Sequence, residues 1–142
     1  MKKLFLLSLL CLMMTACGNK KGDNVKDDVS EKSVLVLYYS QTGATASVAD
    51  QLKTSLNADI EEIVCEDPYS GDFQATIQRC MKERDAGAMP AIKPLKSDVQ
   101  KYDIIFLGYP IWFDTYALPI STLIENVNFD GKTIVPFCTF GS

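Results

Sequence analysis

The chain has 142 residues, a formal net charge of −4, 47% hydrophobic side chains and no histidine. Without histidine, His-based acid–base catalysis and most familiar metal sites are excluded. Five cysteines with no CxxC pair exclude a zinc site and a disulfide-dense scaffold.

Met1-Lys2-Lys3 is a short basic segment, and Leu4 to Met14 (LFLLSLLCLMM) is an apolar run. That run is too short to span a bilayer, which takes ~20 residues, but it suits a secretory signal peptide. It ends in Met14-Thr15-Ala16-Cys17, small residues directly before a cysteine, a pattern that resembles the lipobox of bacterial lipoproteins. The resemblance implies cleavage after residue 16 and a lipidated Cys17, which holds the protein to the extracytoplasmic side of a membrane, inner or outer. Residues 17–33 then form a tether. Four Lys, four acidic residues and only two valines as large apolar groups leave it unable to bury enough surface to order itself. An ordinary signal peptide with Cys17 incidental is the alternative.

Residues 34–142 are the size of one small domain. They carry 8 basic and 14 acidic side chains, a net charge of −6. An acidic domain argues against nucleic acid and suits docking to basic redox proteins. Cys11 leaves with the signal, so Cys65, Cys80 and Cys138 remain, either with one disulfide among them or as free thiols.

In chain order, Val34 to Tyr39 (VLVLYY) reads as a strand buried on both faces, as in parallel sheets. Gly43 to Asn57 follows with one apolar helical face, and Ile60 to Val64 is a second strand. Residues 68–71 form a loop, Asp72 to Asp85 an amphipathic helix, and Gly87 to Pro94 a loop in which two prolines prevent regular helix. Asp103 to Tyr109 is a third strand. Residues 109–115 are expected as a loop because Pro110 removes a ladder donor. Pro119 starts a helix that reaches Val127, Asp130-Gly131 turns the chain, and Lys132 to Cys138 is a fourth strand. The alternation of strands and helices predicts an α/β domain with a mainly parallel sheet.

Ser40-Gln41-Thr42-Gly43-Ala44-Thr45 lies between the first strand and the first helix, where backbone N–H groups and the helix dipole converge. Three hydroxyls add donors and Gly43 permits close approach. With no Lys or Arg in the turn, it is neither a Walker A loop nor GxGxxG, and it suits a phosphate monoester held by hydrogen bonds. A capped helix start rich in Ser and Thr is the plainer reading of the hexapeptide alone.

Tyr39-Ser40-Gln41-Thr42-Gly43-Ala44-Thr45, Leu107-Gly108-Tyr109-Pro110-Ile111-Trp112 and Val135-Pro136-Phe137-Cys138-Thr139-Phe140-Gly141 together resemble the flavodoxin family, over Val34 to Ser142. The resemblance implies a three-layer sandwich with a parallel sheet of order 2-1-3-4 and FMN at the crevice between strands one and three. It implies that Ser40, Gln41, Thr42, Gly43, Ala44 and Thr45 form the FMN phosphate loop. Tyr109, Pro110, Ile111, Trp112 and Phe113 would cover one side of the isoalloxazine, and Thr139, Phe140 and Gly141 would begin the loop on the other. Trp112 as a stacking residue competes with Trp112 as a core aromatic.

Asp114 stands where related sequences often have a small residue such as Gly, and a carboxylate beside the flavin would lower its potential. The family continues with a further helix, a fifth strand and a closing helix. Relative to that pattern the chain reads as a fragment, with an open strand edge, weak flavin affinity and marginal stability as the expected consequences. The function implied is an FMN-binding electron carrier that needs no catalytic side chain and no metal. An FMN-dependent quinone-type reductase of the same fold and a relic without cofactor are the alternatives.

Overall fold

The computed structural model describes residues 32–70 and 72–141. The signal segment, Cys17 and the tether through residue 31 lie outside the described residues. Hydrogen bonding to the domain is in place at Ser33, one residue before the first strand. The Ser33 backbone N–H and hydroxyl both donate to Asp103 Oδ2, at 3.0 and 2.9 Å.

Strand β1 (Val34–Tyr38) pairs in parallel with β2 (Asp59–Glu62) on one side and with β3 (Ile104–Trp112) on the other. Beyond β3 lies β5 (Thr133–Thr139), also parallel, so the long strands run β2-β1-β3-β5. The expected order holds, with the 133–139 strand beside β3. It is fifth in chain order because the short β4 (Thr115–Tyr116) intervenes, paired antiparallel with the end of β3.

The unbroken apolar run of β1 is explained by cover on both faces. Leu35, Leu37 and Tyr39 face one side, with Ile105 and Leu107 of β3, and are buried beneath α2 (Phe73–Asp85) and α3 (Leu118–Asn126) through Cys80, Ile120 and Leu123. Val36 faces the other side and packs with Ala49 and Leu52 of α1 (Ala44–Leu56), Phe106 and Phe137. Caps follow the sequence. Asp72 accepts from Ala75 N–H at 2.9 Å to start α2, and Asn57 ends α1 in the left-handed region that Asn tolerates.

One expectation is corrected. The chain does not loop at Pro110, because β3 continues to Trp112 and folds back through Phe113-Asp114 into β4. The physical reason is position. Pairing with β1 stops at Gly108, so the missing Pro110 donor falls where β1 no longer runs beside it, and its carbonyl still accepts from Ala117 N–H at 3.2 Å. The stretch 87–94 is a loop, as expected, and it is tied to the chain leaving β2. Residues 91–93 run antiparallel to 64–66, joined by a Cys65–Ile92 bridge and hydrogen bonds Glu66 N–H to Ala91 and Lys93 N–H to Val64. This strap covers the end of the chain leaving β2.

Candidate functional site

Strands β2 and β3 lie on opposite sides of β1, and the connections run in opposite directions, so a crevice opens at the carboxyl ends of β1 and β3. Ligands of open α/β sheets bind at such points. Residues 40–43 lead from β1 into α1 across this crevice, and Gly43 is the N-cap with φ +91°. A Cβ built there meets no heavy atom within 4 Å, so the loop is open on that side. Positive φ is what demands glycine at this position.

Four N–H groups at the start of a helix have no intrahelical acceptor. Ser40 Oγ accepts from two of them, Gly43 at 3.1 Å and Ala46 at 3.2 Å. Among the described residues the N–H groups of Ala44 and Thr45 have no protein acceptor, and they carry the positive end of the α1 dipole. Thr42 is exposed on the loop. The Thr45 hydroxyl, expected as a donor, and the Gln41 side chain both have partners within the protein. Thr45 is 1% exposed and its hydroxyl pairs with that of Thr139 at 2.8 Å, which ties the end of β5 to α1. Gln41 turns inward, accepting from the Tyr39 hydroxyl at 2.6 Å and donating to the Tyr69 carbonyl at 3.0 Å.

Trp112 ends β3 half-buried, its ring edge-on to Tyr39 (centroids 5.7 Å apart) and to Tyr69 (5.1 Å). Tyr109 packs edge-on to Tyr116 at 6.0 Å, and Ile111 pairs with Tyr116 in the β3–β4 hairpin. Phe113 sits at the hairpin tip, 43% exposed, with the Arg84 guanidinium 5.1 Å from its ring centroid. Pro110 stands in register with Thr139, and Phe140 and Gly141 follow as exposed residues at the same end of the sheet. The structure therefore gathers the three expected segments at one edge. It joins the first directly to Thr139, and to Trp112 through Tyr39 and Tyr69.

Tyr39 and Tyr69 were not among the residues expected from sequence. Tyr69 lies in the β2–α2 connection, and its hydroxyl donates to Glu83, which Arg79 holds by an ion pair at 2.8 Å. Arg79 also lies 4.2 Å from the Tyr69 ring centroid and pairs with Asp67 at 3.1 Å. Burial pushes both phenols well above the ordinary tyrosine range, helped at Tyr69 by the bond to Glu83. Cys65 and Cys80 belong to the same buried cluster as free thiols, each pushed up to about 11 chiefly by burial, and Cys138 is a free, exposed thiol. Among the described residues no cluster of His, Cys, Asp or Glu could hold a metal, and no helix is long and apolar enough to cross a membrane.

The sequence profile of the flavodoxin family matches residues 33–142. The chain belongs to the flavodoxin family. Flavodoxin is the standing example of the strand-reversal rule used above. Three solved structures illustrate the likeness, each aligned over 78% of this chain. A candidate flavoprotein from Bacteroides eggerthii is 37% identical, with a TM-score of 0.71 and 72% of its own length covered. One from Bacteroides uniformis is 32% identical (TM-score 0.70, 74% of its length), and a flavoprotein from Lactobacillus acidophilus, solved in complex with FMN, is 26% identical (0.69, 76%). Among curated proteins none matches the chain. Family membership and the FMN-bound relative assign FMN as the cofactor.

Proposed function

We propose that this flavodoxin-family domain carries electrons on FMN between redox proteins, outside the cytoplasmic membrane and tethered by lipid on Cys17. The observation that carries the flavin part is the open 40–45 loop. Gly43 leaves space for a group to approach, while the Thr42 side chain and the Ala44 and Thr45 N–H groups supply donors without a cation. These donors suit a phosphate monoester, and the α1 dipole favours its charge. Half-buried Trp112 and the β3–β4 hairpin supply an apolar wall for a flat ring.

FMN, when bound, supplies the one- and two-electron chemistry. The protein's own task is to bind, orient and exclude water, so no side chain needs to move a proton, in keeping with a chain that has no histidine. The surplus of acidic residues supports docking to basic partners. The N-terminal pattern Met14-Thr15-Ala16-Cys17 after an apolar run supports the lipid anchor.

The decisive experiment is titration of the purified protein with FMN, followed by flavin fluorescence. Saturable quenching is expected, weakened about tenfold in Thr42→Ala, the cost of roughly one charge-assisted hydrogen bond. A folded protein that leaves FMN fluorescence unchanged would overturn the reading. Recovery of Cys17→Ser in the soluble fraction, with the parent protein in membranes, tests the anchor.

A further inference from the structure

Trp112 is the chain's single tryptophan, and two buried phenols meet its ring edge-on, Tyr69 at 5.1 Å and Tyr39 at 5.7 Å. The two differ in what their hydroxyls donate to. Tyr39 donates to Gln41 Oε1, a neutral amide oxygen, whereas Tyr69 donates to Oε2 of Glu83, a carboxylate. Rings in contact exchange an electron readily, so the fate of the phenolic proton decides which tyrosine can give one up.

Glu83 is placed to take that proton. Its Oε1 is held by Arg79 Nε at 2.8 Å, which leaves Oε2 to the Tyr69 hydroxyl. Arg79 is fixed in turn by the carbonyls of Asp67 and Pro68, both at 3.1 Å, and its guanidinium carbon lies 4.2 Å from the centre of the Tyr69 ring. A cation there opposes positive charge on the ring, so an electron leaves Tyr69 only as the proton leaves too. Before oxidation the proton stays on the phenol, because burial and the bond to Glu83 push Tyr69 well above the ordinary tyrosine value. Loss of an electron turns a phenol into a strong acid, and the carboxylate then outcompetes the phenoxyl oxygen for the proton. The Gln41 amide is too weak a base to do the same for Tyr39.

We infer that Tyr69 and Glu83 form a proton-coupled electron relay that withdraws an oxidising equivalent from Trp112. The step begins once a one-electron oxidant in the crevice has taken an electron from the Trp112 indole. Tyr69 returns one electron to the indole radical cation, its O–H bond breaks, and the proton passes to Glu83 Oε2. The products are neutral Trp112, a neutral Tyr69 phenoxyl radical and a protonated Glu83, so electrons, protons and charge balance. An indole radical that has meanwhile lost its N–H proton to water takes one back on reduction. The radical is thereby moved from half-buried Trp112, beside the crevice, to a ring that is 6% exposed. The relay uses only this chain's own residues and does not depend on the FMN reading.

Azide radicals generated by pulse radiolysis supply the oxidant for a direct test. They oxidise tryptophan in preference to tyrosine, and with one tryptophan in the chain the indole radical reports on Trp112 alone. In the full chain without added flavin, that radical is expected to decay by a first-order path independent of protein concentration. Growth of the phenoxyl band should match the decay, and both should slow in heavy water because a proton moves with the electron. Tyr69→Phe keeps the ring and abolishes the path. Glu83→Gln keeps an acceptor for the hydroxyl but removes the base, and slows the path about a hundredfold, the low end for a positioned general base. Tyr39→Phe leaves it unchanged.

An indole radical that decays at the parent rate in Tyr69→Phe overturns the relay, and so does loss of the path in a folded Tyr39→Phe protein. A Glu83→Gln rate equal to the parent's, or a parent rate unchanged in heavy water, removes Glu83 as proton acceptor and overturns the inference as well. The heavy-water measurement needs no substitution, so it decides even where a variant fails to fold. All of these outcomes are read without flavin, and they stand whether or not FMN binds.

Discussion

At the hairpin tip, Phe113 has φ +50° and Asp114 has φ +64°, two consecutive non-glycine residues in the left-handed region. Trp112 pairs with Thr115, so these two make a two-residue hairpin loop, and positive φ at both positions is what a type I′ turn requires. The favoured pairs for such turns end in glycine, and left-handed backbone costs L-residues roughly 1–2 kcal/mol, less for Asp. Position 114 therefore calls for a small residue because of backbone geometry, apart from any charge effect on a flavin. Asp114→Gly is expected to raise stability by about 0.5 kcal/mol, the relief of the turn less the added freedom of the unfolded chain. Asp114→Asn keeps the tolerance for positive φ and removes the charge. Urea denaturation of both variants, paired with the FMN midpoint potential, separates the two roles. A potential that rises in both assigns an effect to the carboxylate, and one that moves only in Asp114→Gly assigns it to the turn.

Between elements, β3 and β5 pack closely where they lie side by side. A Cβ placed on Gly108 would fall 2.1 Å from Cζ of Phe137 and within 2.7 Å of two more ring carbons. Gly108 is in register with Phe137, and the ring lies over it into the α1-side core with Val36, Ala49 and Phe106. Gly108→Ala must expel or tilt that ring. It is expected to cost about 1–3 kcal/mol, the range for overpacking a tight core. For a domain near 100 residues each kcal/mol lowers the melting temperature by roughly 4–8 °C, so a thermal scan reads it directly. Gly108→Ala with Phe137→Leu should recover part of the loss. Equal instability in the single and double variants would show that the ring is not the obstacle.

The same scale shows what the sequence made legible. The long strands were readable because VLVLY, IIFLG and TIVPFC are apolar runs that a doubly covered sheet buries, while their order followed from the resemblance to the flavodoxin family. The donor-rich turn at 40–45 was readable because its hydroxyls lie within one hexapeptide. The β3–β4 hairpin was not, since Pro110 signals a broken ladder unless one knows that β1 has already ended at Gly108. Nor was the Gln41–Tyr69 contact, which joins residues 28 positions apart through a carbonyl that no side-chain pattern records. The partner of the Thr45 hydroxyl was hidden for a related reason. A hydroxyl in a Ser/Thr-rich turn reads as a ligand donor, and only the fold reveals that Thr139, 94 positions away, pairs with it.

Over the whole molecule, stability against acid follows from where its carboxylates are used. The strap that packs on the core through Ile92 and Leu95 is pinned beside β2 at its next turn, where Glu61 accepts from the N–H groups of Lys96 at 2.6 Å and Ser97 at 2.7 Å. Partial burial works to raise the Glu61 carboxyl, but hydrogen bonds from Ser97 and from the Lys96 backbone outweigh it and hold the group below the usual carboxylate range. Asp103 is also lowered, by its bonds from the Ser33 backbone and side chain, where the chain joins β1. A carboxyl whose pKa is lower in the folded state releases its proton more readily there, so folding is favoured above the unfolded value, about 4.3 for Glu. That contribution is complete near neutrality and is lost as pH falls through the folded value. Two such ties, one at the strap and one at the start of β1, give the domain an acid limb below about pH 4. Glu61→Gln should lower the unfolding free energy at pH 7 by about 1 kcal/mol, at the low end for a charge-assisted acceptor because the group is partly solvated. The gap between variant and parent should narrow steadily from pH 5 to pH 3 as the parent's own carboxyl takes up its proton. Urea midpoints measured across that interval check both the sign and the window. A gap that stays constant with pH would mean that the turn is held by shape alone, and that the carboxylate contributes nothing as an ion.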